Sequence, residues 1–283
     1  MQDKVAIITG ASSGIGKSTA CKLANEGATI AMVCRNKRKA AAARTEIIER
    51  TGNKNIDVFI ADLALLQNVE KIADQIRNKY PAIDVLINNA GIMPADRKFT
   101  EEGHEHSWAV NHLAPFLLTN LLLDNLKAAG RSRIINVSSE AHRLGQIDFY
   151  DMHASRRYSN FTAYCDSKLA NVLFTYELTR RLENTEVTAN CLHPGLVASN
   201  FGTKSSGIYK LVWNLTKPFM ISPEEGAETS AFLASSPSVA GISGCYFKNK
   251  VAVKSSSDSY NPVLAKRLWD MSAEQVKTAS CHI

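Results

Sequence analysis

The chain has 283 residues, of which 45% are hydrophobic and 21% are charged, and its formal net charge is +6. This length and apolar content suffice for one substantial core, and the lack of glycine-serine linkers or internal repeats excludes separated modules and a solenoid. The mild positive charge permits anionic ligands such as phosphates and does not require nucleic acid.

Short apolar runs alternate along the chain with longer helical patterns, which is typical of a parallel sheet with crossover helices. Strands are predicted, in order, at 5–9, 29–34, 56–60, 85–88, 133–137, 187–192 and near 245–247. Helices are predicted at 15–26, after residue 36, at 68–79, 105–129 and 161–182, after Pro223, and at 263–276. The pattern predicts an α/β fold in a single domain, 1–283, with a Rossmann-type doubly wound parallel sheet of seven strands and helices on both faces.

The sequence predicts neither a membrane span nor a metal site. The first strand pattern begins at Lys4, which leaves no room for a hydrophobic leader, and the most apolar stretch, 113–126, is interrupted by polar residues. Six scattered cysteines without a Cys-x-x-Cys pair indicate reduced thiols. His104 and His106 are interpreted as surface residues rather than metal ligands. A soluble, cytoplasmic protein is expected.

The first strand is followed by the glycine-rich run Thr9-Gly10-Ala11-Ser12-Ser13-Gly14-Ile15-Gly16, which opens the first helix. Glycines allow a tight turn and a close approach of the backbone to a pyrophosphate, and the helix N-terminus supplies N–H groups. A plain glycine turn is the alternative. The strand–loop–helix context favours a dinucleotide-binding loop.

The end of the second strand bears on which dinucleotide binds. An acid there typically binds the ribose hydroxyls of NAD, but this chain has Cys34-Arg35-Asn36-Lys37-Arg38. Arg35 can pair with a 2′-phosphate, so the cofactor is predicted to be NADP(H), with a basic solvated helix start as the alternative. Asp62 and Leu63 follow the third strand, where the adenine would lie, although Asp62 could instead cap a helix. Asn89, Ala90 and Gly91 follow the fourth strand and would admit the cofactor near its ribose.

Tyr164 and Lys168 are four residues apart and share one face of the predicted helix 161–182. A lysine ammonium near a phenol stabilises the phenolate and is expected to lower the tyrosine pKa. Such a phenol exchanges a proton with an alcohol or carbonyl oxygen. The spacing is common on solvated helices, so it predicts a reaction only together with the dinucleotide loop.

These motifs resemble those of the short-chain dehydrogenase/reductases, and they occur in the same order along the chain as in that family. The matching elements are the glycine loop, Asn88-Asn89-Ala90-Gly91, Asn111, Ser138-Ser139, Tyr164-x-x-x-Lys168 and Pro194-Gly195, which cover residues 4 to 250. A closer resemblance, to the retinol dehydrogenase-like branch and the nearby WW-domain-containing oxidoreductases, lies in Cys34-Arg35-Asn36, Val110-Asn111-His112-Leu113, Ala163-Tyr164-Cys165-Asp166-Ser167-Lys168 and His193-Pro194-Gly195. Members of this branch often carry an N-terminal membrane anchor, so membrane association is expected if one has been removed.

The resemblance implies a role for each matching residue. Tyr164 is the expected general acid/base, and Lys168 lowers its pKa and binds the nicotinamide ribose. Ser139, rather than Ser138, holds the substrate oxygen, and Asn111 holds a water that links Lys168 to solvent. The segment from Pro194 and Gly195 to Val197 packs on the nicotinamide carboxamide, with Ser199 at the position of the family's usual threonine.

These roles predict an NADP(H)-dependent oxidoreductase acting on a hydrophobic alcohol or carbonyl, such as a retinoid, steroid or lipid aldehyde, mainly as a carbonyl reductase. Residues 1–135 form the expected NADP-binding part and 136–283 the catalytic part, with substrate contacts in 140–160 and a lid at 201–221. The lid is apolar enough for peripheral membrane contact, and the arm 263–276 is suited to a homodimer interface. A non-catalytic NADP-binding regulatory or scaffold protein is the alternative. Nucleic-acid binding through 35–38 is a further alternative, but no nucleic-acid partner is predicted.

Overall fold

The computed structural model describes residues 1–151, 158–197 and 220–276. Its sheet has the strand order β3-β2-β1-β4-β5-β6-β7-β8. The strands are β1 (Val5–Thr9), β2 (Thr29–Cys34), β3 (Ile56–Ile60), β4 (Val85–Asn88), β5 (Arg133–Val137), β6 (Thr188–His193), β7 (Tyr246–Lys248) and β8 (Val251–Val253). Strands β1 to β7 pair in parallel. The predicted doubly wound α/β fold is therefore confirmed.

The prediction of seven strands was wrong, because an eighth strand, β8, pairs antiparallel with β7 at the sheet edge. Strand β8 has three residues, all exposed, so the sequence contains no buried apolar run that would predict it. The connecting turn places Asn249 and Lys250 at φ values of 51° and 66°, the paired positive angles of a type I′ hairpin.

Helices cover both faces of the sheet within the described ranges. They are α1 (Gly14–Asn25), α2 (Lys37–Thr51), α3 (Leu66–Lys79), α4 (His106–Trp108), α5 (Ala114–Leu121), α6 (Leu123–Ala128), α7 (Asn160–Arg181), α8 (Pro223–Gly226), α9 (Glu228–Ser235) and α10 (Pro262–Gln275). Helices α3, α5, α6, α7 and α10 enclose one core with one face of the sheet. Helices α1, α2 and α9 enclose the second core on the opposite face.

The helix predicted at 105–129 is not continuous. It divides into α4, a π-helical turn at Ala109–Leu113, α5 and α6. Pro115 has no N–H to donate to the preceding turn, and it lies at the start of α5. A second break falls at Leu122, whose φ of −97° and ψ of 3° depart from helical values. Single π-turns are frequent at functional sites.

The sheet order reverses at β1, which lies between β2 and β4. In an open parallel sheet, ligands bind outside the carboxyl ends of the strands at such a switch point. The residues that end β1, β4, β5 and β6 consequently meet at one edge of the sheet.

Candidate active site

The loop between β1 and α1 is shaped by glycines, through positive φ angles and close backbone contacts. Gly10 has a φ of 68°, and a Cβ on Gly16 would lie 2.5 Å from the Gly10 carbonyl oxygen and 2.4 Å from Asn89 Nδ2. Gly14 has a φ of 55°, and a Cβ there would meet no described atom within 4 Å. The loop is thus closed on its inner side and open beside Gly14, where a bulky ligand can approach the backbone.

Among the described residues, the N-terminus of α1 lacks side-chain capping. Ser13 is the N-cap in extended conformation and makes no capping hydrogen bond, and the first turn carries no acid. The first N–H groups of α1 and its positive dipole end therefore suit an anion such as a pyrophosphate. The glycine loop fits the predicted dinucleotide.

The end of β4 is tied to this loop. The Thr9 hydroxyl oxygen accepts hydrogen bonds from the backbone N–H groups of Asn89 and Ala90, both at 2.9 Å, and Asn89 Nδ2 donates to the Thr9 carbonyl oxygen at 2.8 Å. The Asn89 amide thus holds two strands together at the switch point. Gly91 lies close to Lys168, because a Cβ added to Gly91 would be 3.4 Å from Lys168 Nζ.

The residues predicted for the adenine end lie after β2 and β3. Arg35 is exposed, and Asn36 caps α2 by accepting from the Lys39 N–H at 3.0 Å. Asp62 accepts from the Ala64 N–H at 3.1 Å, so it closes the turn before α3, and Leu63 beside it is buried. The pKa of His106 is lowered, mainly by burial. Among the smaller contributions, the charge of Asp62 raises this pKa and the charge of Arg35 lowers it, so both charges lie near His106.

Sequence reasoning missed the residue that caps α3. The Glu102 carboxylate accepts from the backbone N–H groups of Leu66 at 2.7 Å and Gln67 at 3.2 Å. Glu102 lies more than thirty residues away in sequence, so no local capping pattern could have revealed it.

Helix α7 carries Tyr164 and Lys168 to the carboxyl end of β5. Lys168 is 4% exposed, and its Nζ donates to the Val137 carbonyl oxygen at 2.9 Å and lies 5.5 Å from the centroid of the Tyr164 ring. Ser139, just after β5, hydrogen bonds to Tyr164. The Ser139 oxygen also accepts from the Ala141 N–H at 3.2 Å, which leaves its own proton for donation. The structure thus brings three of the four predicted catalytic residues together.

The pKa values of this pair differ from the expectation. Burial raises the pKa of Tyr164 to about 12, although the Ser139 hydrogen bond lowers it. Burial also lowers the pKa of Lys168 to about 8. Both shifts have one cause, because a poorly hydrated position disfavours the phenolate and the ammonium alike. Within the protein alone, burial of the phenol outweighs the hydrogen bond with Ser139, so the pKa of Tyr164 is raised rather than lowered as the sequence predicted.

Ser138 and Ser139 are adjacent but have different surroundings. Ser138 is 2% exposed, and its hydroxyl donates to the Lys168 carbonyl oxygen at 2.8 Å. It therefore fastens α7 to the end of β5, whereas Ser139 points its hydroxyl toward Tyr164.

Asn111 lies in the π-helical turn and is fully buried. Its Oδ1 accepts from the Ile92 N–H at 2.8 Å, and its Nδ2 donates to the Ile92 carbonyl oxygen at 2.9 Å and to Ser167 Oγ at 3.0 Å. Ser167 in turn donates to the Tyr164 carbonyl oxygen at 2.7 Å. Asn111 therefore connects the segment after β4 with the helix that carries Tyr164.

Two buried histidines that sequence reasoning did not place in the site support the segment after β5. His142 Nε2 accepts from the Ser256 N–H at 3.0 Å, so its Nδ1–H donates to the Ser139 carbonyl oxygen at 2.6 Å. His193 Nδ1 accepts from the Glu140 N–H at 3.2 Å. Burial lowers the pKa of His142, and it lowers the pKa of His193 to about 4, so His193 is neutral near pH 7.

The segment after β6 folds back against α8. Gly195 has a φ of 96°, and a Cβ there would lie 2.5 Å from Ile221 Cδ1. Val197 is buried and pairs with Ile221 in an isolated bridge. Ser199 and the predicted lid, except for its last two residues, lie outside the described residues.

The described parts of the chain contain no cluster of three or more histidine, cysteine, aspartate or glutamate side chains able to hold a metal ion. In the same ranges, no helix is long and apolar enough to cross a membrane.

Comparison with known proteins agrees with this geometry. The profile of the family described as short chain dehydrogenase matches residues 4–207. Human retinol dehydrogenase 13 is 43% identical, with 96% of this chain and 84% of the relative covered. Human retinol dehydrogenase 14 is 41% identical, with 98% and 87% covered. The chain therefore resembles these curated relatives over most of both lengths.

Solved structures share the fold. An uncharacterised protein from Mycobacterium paratuberculosis superimposes with a TM-score of 0.80 at 34% identity, covering 99% of this chain and 95% of the other. A short chain dehydrogenase from Shigella flexneri, solved in complex with NADP, gives a TM-score of 0.70 at 24% identity, with 89% and 98% covered. At that identity the second likeness concerns the fold alone.

Proposed function

The chain belongs to the short-chain dehydrogenase family, in its retinol dehydrogenase-like branch, and we propose that it transfers hydride between NADP(H) and a hydrophobic alcohol or carbonyl compound. Membership makes it an oxidoreductase that uses a nicotinamide cofactor on a small-molecule substrate. The finer assignments are the choice of NADP, the substrate class and the direction of reaction. In this proposal residues 1–135 hold the cofactor, and 136–283 carry catalysis and substrate binding.

The cofactor contacts follow the carboxyl edge of the sheet. The open side of the loop at Gly14 and the uncapped N-terminus of α1 would hold the pyrophosphate. Exposed Arg35 would bind the 2′-phosphate. The remaining contacts would come from Asp62 and Leu63 at the adenine, Asn89 to Gly91 at the ribose, and Pro194 to Val197 at the carboxamide.

The observation that carries the proposal is the hydrogen bond between Ser139 and Tyr164 beside buried Lys168. The cofactor supplies or accepts the hydride. Ser139 would orient and polarise the substrate oxygen, and Tyr164 would exchange a proton with it. With a pKa of about 12, the phenol carries its proton at neutral pH, which is the form that protonates the oxygen during carbonyl reduction. The proposed main direction is carbonyl reduction, because NADPH is the usual hydride donor for reductions in cells.

The proposed substrates are hydrophobic carbonyl compounds such as a retinoid, a steroid or a lipid aldehyde. The curated relatives are named retinol dehydrogenases. Leu196, within the segment predicted to contact the nicotinamide, is 58% exposed and offers an apolar side chain. Peripheral membrane contact and a homodimer stay predictions from the sequence.

The test compares wild type with Tyr164→Phe in NADPH oxidation, using retinal, a steroid ketone and a short aldehyde. Loss of the proton donor should lower kcat/KM about 10³-fold while leaving NADPH binding, followed by fluorescence, nearly unchanged. Tyr176→Phe is the matched control, because Tyr176 lies on the same helix and its hydroxyl contacts Ser255. If wild type binds NADPH, turns over no substrate and behaves like Tyr164→Phe, the protein is a non-catalytic NADP-binding protein.

The choice of NADP over NAD is tested by Arg35→Asp. Removing one charge-assisted contact to the 2′-phosphate should raise the KM for NADPH about 10- to 100-fold and leave the KM for NADH almost unchanged. Lys37→Asp makes the same change of charge two positions along and should have a much smaller effect. Equal changes for NADPH and NADH would contradict the assignment of Arg35.

A further inference from the structure

Helix α10 packs directly on α7, the helix that carries Tyr164 and Lys168. Its anchor is Trp269, which is 5% exposed. The Trp269 ring centroid lies 4.8 Å from that of Phe116 on α5 and 5.7 Å from that of Phe174 on α7, and the Arg181 guanidinium lies 4.2 Å from the Trp269 ring. This apolar packing fixes α10 against two helices.

Two polar contacts extend from α10 to the helical segment that contains Asn111. Ser272 Oγ lies 2.7 Å from His112 Nε2, and Trp108 Nε1 donates to Gln275 Oε1 at 3.0 Å. Trp108 immediately precedes the π-helical turn and His112 immediately follows Asn111. The two contacts therefore flank Asn111.

Ser272 also makes a hydrogen bond within its own helix. Its hydroxyl donates to the Leu268 carbonyl oxygen at 2.8 Å, and the same oxygen lies within hydrogen-bond distance of His112 Nε2. Ser272 and His112 are both fully buried. Since a buried polar group that loses its partner is costly, the pair fixes where α10 sits along the π-helical turn.

The π-helical turn needs such support. It contains one more residue than a regular turn, and relaxation to an α-helix would rotate the following side chains by about 100°. Asn111 would then lose the hydrogen bonds that join Ile92 to Ser167. A regular helix would no longer present this amide to the segment after β4.

We propose that α10 is a positioning element of the active site, in which Ser272 and Gln275 hold His112 and Trp108 and thereby keep Asn111 in its π-helical turn. The effect of this element on turnover rests on the proposed oxidoreductase function. Neither Ser272 nor Gln275 is expected to touch substrate or cofactor. Their effect reaches the reaction through Asn111 and the helix that carries Lys168.

A third contact joins α10 to the segment that follows Ser139. The Arg267 guanidinium lies 4.1 Å from the centroid of Phe149 and 5.7 Å from that of Tyr150. One helix is thus attached to two segments that border the site, and Ser272 and Gln275 are its contacts to the segment that contains Asn111.

The test uses Ser272→Ala, Gln275→Ala and the conservative Gln275→Glu, which keeps an acceptor for Trp108. The control is Lys266→Ala, on the exposed side of α10, whose ion pair with Asp270 stays within the helix. Two properties are measured on the full chain: kcat and KM for carbonyl reduction with NADPH, and hydrogen exchange of the backbone amides of Ile92 and 109–113. The Ile92 amide reports directly on Asn111, because it donates to Asn111 Oδ1.

Ser272→Ala should lower kcat about tenfold with little change in the KM for NADPH, and should accelerate exchange at Ile92 and 109–113. Gln275→Ala should act in the same direction more weakly, Gln275→Glu should restore both properties, and Lys266→Ala should change neither. Gln275 is partly exposed, so its variants remain informative if Ser272→Ala fails to fold.

Unchanged exchange at Ile92 and 109–113, or faster exchange spread over the whole sheet, overturns the inference. Faster local exchange with an unchanged kcat in an active protein would mean a merely structural contact and overturns it as well. Because the exchange measurement needs no turnover, an inactive wild type with the expected local exchange would overturn the proposed function and leave the positioning of Asn111 supported.

Discussion

The loop after β1 and the helix α7 reach the same edge of the sheet but contribute to the site in different ways. The loop offers backbone N–H groups and space, and its glycines lie where an added Cβ would clash or where the backbone φ is positive. Helix α7 offers side chains, and burial shifts the pKa values of Tyr164 and Lys168 in opposite directions.

Substitutions in the two regions should therefore affect different properties of the protein. In the loop, a substitution acts through sterics and backbone strain, so its effect should appear in cofactor affinity and stability. Around α7, a substitution acts through a proton, a hydrogen bond or a buried charge, so its effect should appear in kcat and in pH dependence.

The largest difference between these two kinds of effect is expected for Ser139→Ala and Ser138→Ala. Removing the Ser139 hydroxyl should lower kcat/KM about 10²-fold with little loss of stability, because it removes a donor to the substrate oxygen. Ser138→Ala should mainly cost stability, about 1 kcal/mol, because its hydroxyl serves the Lys168 carbonyl oxygen. Steady-state kinetics and urea unfolding distinguish the two, and the reverse pattern would exchange their roles.

A smaller effect is expected for Gly14→Ala set beside Gly52→Ala. Both glycines have positive φ, 55° and 70°, and a Cβ at either meets no described atom within 4 Å. Each substitution should therefore cost a similar 1–2 kcal/mol or so of unfolding free energy from backbone strain. Only Gly14→Ala should also weaken NADPH binding, measured by fluorescence titration. Equal NADPH affinities would mean that no ligand approaches Gly14.

The smallest effect concerns acid stability. The pKa of His193 is lowered to about 4 by burial, so the unfolded chain binds the proton more readily than the folded one. The contribution of neutral His193 is complete above the unfolded pKa, near 6.5, and is lost as the pH falls toward 4. Between pH 6 and 5, His193→Gln should reduce the slope of unfolding free energy against pH by about 1 kcal/mol per unit. Identical slopes for variant and wild type would contradict this.

The positions of the histidines also predict which part of the protein should open first at low pH. All seven follow residue 100, so the strands of the nucleotide half contain none. Hydrogen exchange at pH 5 should accordingly increase first around β5, α7 and β6. Early exchange in β1 to β3 would indicate that carboxylates rather than buried histidines govern acid unfolding.

Much of the fold could be predicted because the relevant signals are local. The parallel strands could be predicted from their buried apolar runs, whereas β8 was missed because its three residues are exposed. Helix α7 was predicted within one residue at each end. The break in the helix predicted at 105–129 was missed because the pattern of apolar residues continues through the π-helical turn.

The doubly wound sheet, the glycine loop at its switch point and the order of the family motifs could be predicted because they depend on neighbours in the chain. The contact of Ser138 with α7, the contact of Ser139 with Tyr164, the bond from His142 to the Ser139 backbone and the contact of α10 with His112 could not be predicted. Burial and hydrogen-bond partners depend on atoms far apart in sequence. The shifted pKa values at the site follow from that enclosure, which no local pattern of residues contains.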